Sequence, residues 1–427
     1  MKVLFFISRL LAGLVFVFSG FVKAIDPVGS AIKFEEYLQA FHLDLLVNVA
    51  LPLAILLSAA ELMIGLNLLA GLRMKITAWL LLIFMSFFTL LTFILALTNP
   101  VSDCGCFGDA LKLTNWQTFW KNVILLVPTI LIFLNRRKFI HKRAVGIEWA
   151  LAGMNFMAAV FLSLYCIRHQ PLLDFRPYTI GASIPENMMI PEGAPADKYE
   201  TMLIYEKNGV KQQFTETDFP WQDSTWKWVE TRQELISKGY EPPIHDFSIT
   251  SESGLDITDS VLKDTRYALV IISPFLNKAP AKAMQRMNDL ALRFHELGFP
   301  VYCLTASTTT QIAGFKTAFQ PAFEICTTDE TTLKTIIRAN PGLLLLREGI
   351  ILGKWNHTDA PEASAFHANP ISLVLDIQRR KQETSTVIIL ALACIVFYAL
   401  VYFLLPLPQA YGKAKELSAT ADSEGKL

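Results

Sequence analysis

The sequence predicts a membrane protein in two parts: an all-α bundle of four transmembrane helices extended by two further spans, and an α/β domain carried between the fifth span and the sixth. Five long apolar segments crowd the first 170 residues, and one more lies near the end of the chain. Between them, from residue 168 to 383, the apolar runs give way to short alternating strand and helix signals. Composition agrees. The 427 residues are 52% hydrophobic and 18% charged, with a mean hydropathy of +0.38, which is too apolar for a soluble chain of this length. Net charge is zero and no Lys/Arg tract is interleaved with aromatics, so nucleic acid is excluded as a partner.

About 20 apolar residues cross a hydrocarbon core, and segments 3–22, 49–70, 76–97, 117–134, 147–167 and 386–405 meet or approach that length. The first is too long for a cleaved signal peptide, and it contains Arg9. The basic loops are 71–75 and 135–143, the latter with Arg136, Arg137, Lys138, Lys142 and Arg143. The positive-inside rule puts both in the cytoplasm. Counting spans then places the amino terminus and the tail from Pro406 inside, and 23–48, the loop after the third span and 168–383 outside. The location expected is a bacterial-type inner (plasma) membrane. Arg379, Arg380 and Lys381 precede the sixth span on its outer side, against the rule, but long domains translocate largely regardless of charge. Trp116, Trp120 and Trp149 sit at span ends and suit an aromatic belt.

Arg9 and Glu61 lie well inside their spans, and ionisable groups there are costly unless paired. Arg9 and Glu61 fall at depths of roughly 9 and 13 Å from the inner face, so the two are expected to meet, either as an ion pair that fixes helix register or as a proton or quinone site. Lys23, at the outer end of the first span, is expected to snorkel to the interface.

Chemistry is expected in the break after the third span, Asp103-Cys104-Gly105-Cys106-Phe107-Gly108-Asp109. The glycine permits the sharp bend that a one-residue spacing needs. A disulfide in so tight a ring departs from relaxed geometry and suits exchange better than permanent stapling. Cys166 ends the fifth span at the same face and is an alternative partner. A loop staple, two reduced structural thiols and metal capture are the competing readings, though a zinc site needs two more ligands. The six cysteines are too few for a disulfide-stapled fold.

The α/β part opens with a hairpin signal, 201–206 and 210–215 around Asn208-Gly209. Trp221, Trp226 and Trp228 are expected to pack under that small sheet. Further on, strands are expected at 267–272, 300–305, 322–326, 343–347 and 350–355, with helices at 278–297, 309–319 and 329–339. Thr327 and Glu330 have capping-box spacing. Alternation implies a mostly parallel sheet closed by an antiparallel hairpin.

Residues 244–375 resemble a thioredoxin-like domain of the peroxiredoxin-related kind, on this element order and on Asn340-Pro341-Gly342-Leu343-Leu344-Leu345-Leu346-Arg347-Glu348-Gly349. The resemblance implies that Pro341 is the cis proline facing the active site. The family's Cys-x-x-Cys is missing: Ser273-Pro274-Phe275-Leu276-Asn277-Lys278 stands in its place, with no nucleophile for exchange. Cys303 and Cys326 read as buried strand residues. The domain is therefore expected to bind a partner rather than to catalyse.

Residues 1–140 resemble the MauE branch of the DoxX-like membrane proteins. The likeness rests on CGCFG at 104–108, on Arg9-Leu10-Leu11-Ala12-Gly13, on Phe18-Ser19-Gly20-Phe21-Val22-Lys23, and on residues 61–71. It implies a role in methylamine utilisation, maturing or exporting a disulfide-rich protein beside a thioredoxin-like partner. The expected organisation is a four-helix unit at 1–140, a fifth helix at 141–170, a hairpin-containing extension at 171–243, the thioredoxin-like domain at 244–375, a sixth helix at 384–405 and a cytoplasmic tail at 406–427. The expected function is thiol–disulfide exchange or protein maturation at the outer face, with Cys104 and Cys106 reactive and Arg9, Glu61, Cys166 and Pro341 supporting. An extracytoplasmic client or redox protein and membrane lipid are the expected partners, and a membrane quinone is the cofactor such a site would meet. A non-enzymatic scaffold whose degenerate domain holds a client is the rival reading.

Overall fold

The computed structural model describes residues 2–404 apart from 102, 139–143, 216, 238 and 368. The expected tail at 406–427 and the basic residues Lys142 and Arg143 lie outside the described residues. Among the described residues, six helices are long and apolar enough to cross a membrane, as the hydropathy requires. They are α1 (Lys2–Ile25), α3 (Ala50–Ala70), α4 (Met74–Thr98), α5 (Asn115–Asn135), α6 (Val145–Arg168) and α12 (Ile371–Leu404).

Helices α1 and α3 form the tightest pair, because small residues let their backbones meet. A Cβ added at Gly20 would lie 2.4 Å from the backbone nitrogen of Leu62, and one at Gly65 2.6 Å from that of Val17. Helices α4 and α5 pack beside them around Phe16, Ile64, Leu81, Leu125 and Ile132.

The segment after the first span forms a helix, α2 (Pro27–Ala40). Its start follows from Asp26, whose carboxylate accepts from the Gly29 amide, and from Pro27 at the first helical position. The sixth span differs from expectation. Helix α12 begins at Ile371 inside the α/β domain, where Val374 is core, and runs 34 residues without a break. One rigid element thus joins the domain core to the membrane.

After the short α7 (Ile184–Met188) comes a three-stranded antiparallel sheet of β1 (Lys198–Lys207), β2 (Val210–Thr215) and β3 (Lys227–Ser237), in the order β2-β1-β3. Its first turn is Asn208-Gly209, both at positive φ, as a two-residue hairpin demands. The third strand was not anticipated. The tryptophans do not all pack under this sheet: Trp226 stacks edge-on against Phe214, but Trp221 and Trp228 are 72% and 60% exposed.

The second sheet holds β4 (Ala268–Ile272), β5 (Val301–Thr305), β6 (Glu324–Thr327), β7 (Gly342–Arg347) and β8 (Ile350–Asn356), in the order β6-β5-β4-β7-β8. The first three strands are parallel, while β7 runs antiparallel to both β4 and β8. Every residue of β4 is buried, as the unbroken apolar run of a strand covered on both faces requires. Helices α9 (Ala281–Glu296) and α10 (Thr309–Phe319) cover one face, while α8 (Thr258–Leu262) and α11 (Glu330–Ile336) cover the other. This separate α/β region fits a thioredoxin-like domain. One cap differs from expectation: Asp329, not Thr327, caps α11 by accepting from the Thr332 amide, because Thr327 is still paired in β6.

Candidate functional site

The cysteine loop sits where α1, α2 and α5 converge. Gly105 adopts φ +61°, a conformation open to glycine, and its amide is capped by Asp103 Oδ1 at 3.0 Å. Lys33 of α2 holds the other carboxylate oxygen at 3.3 Å. This bend brings Cys104 Sγ and Cys106 Sγ to 3.1 Å, both as thiols. Gly105, Gly108 and Asp109 face a cleft of about 560 Å³ beneath the α/β domain. The sulfurs turn the other way, into an apolar cluster with Tyr37 and Leu95.

The two thiols are unequal. Cys106 is lowered to about 6, first because the Cys104 thiol donates to it and then because the ammonium groups of Lys121 and Lys23 lie near; burial opposes these. Cys104 is pushed far up by that same hydrogen bond and by burial. A stabilised thiolate beside a protonated thiol is the division of labour that exchange needs: one sulfur attacks while the other waits.

Beneath the loop lies a buried polar network. Lys23 Nζ meets Glu61 Oε2 at 2.6 Å. The Ser19 hydroxyl lies 2.9 Å from Glu61 Oε1 and 2.8 Å from the Cys106 carbonyl, with one proton to share between them. This corrects two expectations. Arg9 does not meet Glu61; its guanidinium donates to the carbonyls of Leu68 and Leu69 at the end of α3, where orphan carbonyls need donors. Lys23 does not snorkel outward, because Glu61 gives its charge a partner inside. Glu61 is nine residues from the end of α3 and sits level with the C-terminal end of α1, where Lys23 lies, out of reach of Arg9.

Cys166 is buried in a different cluster, with Ala24, Ile25 and Leu162, and is not brought to the pair. Pro341 follows a cis peptide bond. Beside it, Asn340 accepts from the Ser273 hydroxyl at 2.7 Å and donates to the Phe275 carbonyl at 2.9 Å. The position of the family's dithiol is thus filled by a structural hydrogen-bond relay. Cys303 and Cys326 are fully buried, and burial pushes Cys326 up to about 12, so neither supplies a thiolate.

The α/β domain is fastened over the loop by Arg338, just past α11. It reaches Asp26 Oδ2 at 3.1 Å and Asp109 Oδ2 at 2.8 Å. Sequence reasoning missed this residue, along with Ser19, Tyr37 and Lys121. Only Ser19 left a trace, one helical turn before Lys23; the others are joined by the fold alone.

Residues 1–135 match the family model of the methylamine utilisation protein MauE. The match covers about a third of the chain. Residues 199–238, which include the three-stranded sheet almost entire, match a family of unknown function. No curated protein matches the chain. Among solved structures, the Xanthomonas campestris bacterioferritin comigratory protein, studied for alkyl peroxide reduction, is 13% identical over 32% of this chain and 92% of that one, with a TM-score of 0.22. The cysteine loop, Lys23 and Glu61 all fall inside the matched segment, and Arg338 falls outside it.

Proposed function

We propose that this multi-pass membrane protein carries out thiol–disulfide exchange at the extracytoplasmic face of a bacterial-type inner membrane, in support of extracytoplasmic protein maturation. The observation that carries the reading is the unequal pair: Cys106 at about 6, with the Cys104 thiol 3.1 Å away. In the reducing direction, the Cys106 thiolate attacks a client disulfide and expels one client thiolate. Cys104, giving up its proton, then attacks Cys106 Sγ, releases the second client thiolate and leaves the loop as a disulfide. Two electrons pass from the loop to the client. The oxidising direction is the same sequence reversed, and reoxidation of the loop then falls to a lipid-soluble quinone or a partner protein.

Sidedness is supported by the basic turns. Arg73 and the run Arg136 to Lys138 occupy the end of the bundle opposite the cysteine loop, as a cytoplasmic assignment of that end requires. The MauE likeness extends the proposal to methylamine utilisation. In this reading the first four spans form the bundle unit, and the α/β domain, without a dithiol, positions a client over the cleft.

The test is trapping. With Cys104→Ser the resolving thiol is gone and a mixed disulfide through Cys106 should accumulate; with Cys106→Ser none should form. Equal recovery of complexes from both variants and the parent overturns the exchange role and leaves a scaffold whose cysteines brace the loop.

A further inference from the structure

A second pocket, of about 230 Å³ and lined in part by charged side chains, lies away from the cysteines, in the seam between the end of α6 and the part of α12 just before its most apolar stretch. Tyr165, His169 and Gln170 line it from one side, Arg380 and Lys381 from another, and Lys354 of β8 closes the top. Its charges are lopsided. Asp359, the one acid among the lining residues, is already held by His169 Nδ1 at 2.7 Å, and Lys354 is held by Asp174 at 2.7 Å. Arg380 and Lys381 make no ion pair with any described residue, whereas their neighbour Arg379 pairs with Glu383 at 3.1 Å.

Gln170 gives an independent sign of a missing ligand. It is only 4% exposed, and its Oε1 is buried without a hydrogen-bond donor. An orphaned buried acceptor of this kind is destabilising and calls for an explanation. A group that brings both a negative charge and a hydroxyl would satisfy the cations and the amide together.

The third observation concerns what lies below. Further along the same two helices, Ala158 of α6 and Ile389, Leu392 and Ala393 of α12 line an almost wholly apolar groove of about 320 Å³. Ser385, at the charged pocket, and Ile389, at the groove, are four residues apart on α12, roughly 6 Å along the axis. A cationic pocket stacked directly over an apolar groove, at the level where a helix enters the membrane, has the shape of a phospholipid.

We propose that the α6–α12 seam is a binding site for one anionic phospholipid with a hydroxyl-bearing head group. Arg380 and Lys381 bind the phosphodiester, Gln170 accepts from the head-group hydroxyl, and an acyl chain fills the groove. Two of the three cations that run against the positive-inside rule then gain a counter-charge, the third, Arg379, having Glu383. The site does not depend on the thiol chemistry.

The full-length protein is to be placed in nanodiscs of phosphatidylcholine doped with phosphatidylglycerol, released, and weighed by native mass spectrometry. One phosphatidylglycerol retained per chain is expected. The R380Q/K381Q variant should retain it roughly thirtyfold more weakly, R379Q should retain it like the parent, and Ala393→Trp should lose it with every cation intact. Retention of phosphatidylcholine to the same extent overturns the site. So does equal loss in R379Q, which would mean unspecific surface charge, or displacement by soluble glycerol phosphate, which would mean a free anion site.

Discussion

Lys23 Nζ and Glu61 Oε2 lie 2.6 Å apart between the two most tightly packed helices of the membrane unit, with both side chains more than four-fifths buried. Together with Ser19 they form the floor on which the cysteine loop rests, since the same hydroxyl that touches Glu61 also touches the Cys106 carbonyl. Charges in such a place are tolerated only in company.

Removing one partner should therefore be far worse than removing both. Lys23→Met or Glu61→Gln alone is expected to destabilise the protein by about 3–5 kcal/mol, the cost of stranding a buried charge, and the double variant by clearly less. Thermal unfolding of the four proteins in one detergent gives the cycle. Additive losses would mean the two residues act separately.

Alkylation of Cys106 should follow its thiolate. As pH rises, the rate is expected to climb through a midpoint near 6 and level off by neutrality. Cys104→Ala removes the largest stabilising contact and should move the midpoint up toward the ordinary thiol range, roughly 8.5. Lys121→Gln should move it up by less. A midpoint that stays put in Cys104→Ala would refute the hydrogen bond as its cause.

Arg338 is the clasp between the two parts. Arg338→Ala breaks contacts to Asp26 and Asp109 and leaves two carboxylates facing the cleft without that cation. A loss of about 2 kcal/mol is expected, with faster labelling of Cys106 by a bulky hydrophilic maleimide, because the sulfurs lie behind the loop backbone. Unchanged labelling would show that the domain does not limit access.

Helix α1 has no room for a methyl group at Gly20, where a Cβ would stand 2.4 Å from the Leu62 nitrogen and 2.8 Å from its Cα. Gly20→Ala should cost about 3 kcal/mol, since the obstruction is backbone and cannot swing aside. Gly153→Ala, with nothing within 4 Å, is the control and should be near neutral.

Much of this protein was legible before any fold was known. The spans follow from hydropathy over windows of about 20 residues, and the strands and helices of the α/β domain follow from periodicity, because both are properties of neighbours in sequence. The CGC spacing and its glycine marked the candidate loop for the same reason. What the chain alone determined, then, was which segments enter lipid, which alternate, and where two thiols are forced together. The tertiary structure decided who partners whom. Glu61 takes Lys23 rather than Arg9 because α1 and α3 pack with Gly20 against Leu62 and Gly13 against Leu69, which puts the C-terminal end of α1 beside the middle of α3. Arg338 finds Asp26 and Asp109 across 312 and 229 residues, and Gln170 is left facing cations from a helix two hundred residues on. Charge pairing depends on distances of a few ångströms, and those are set only when the helices pack.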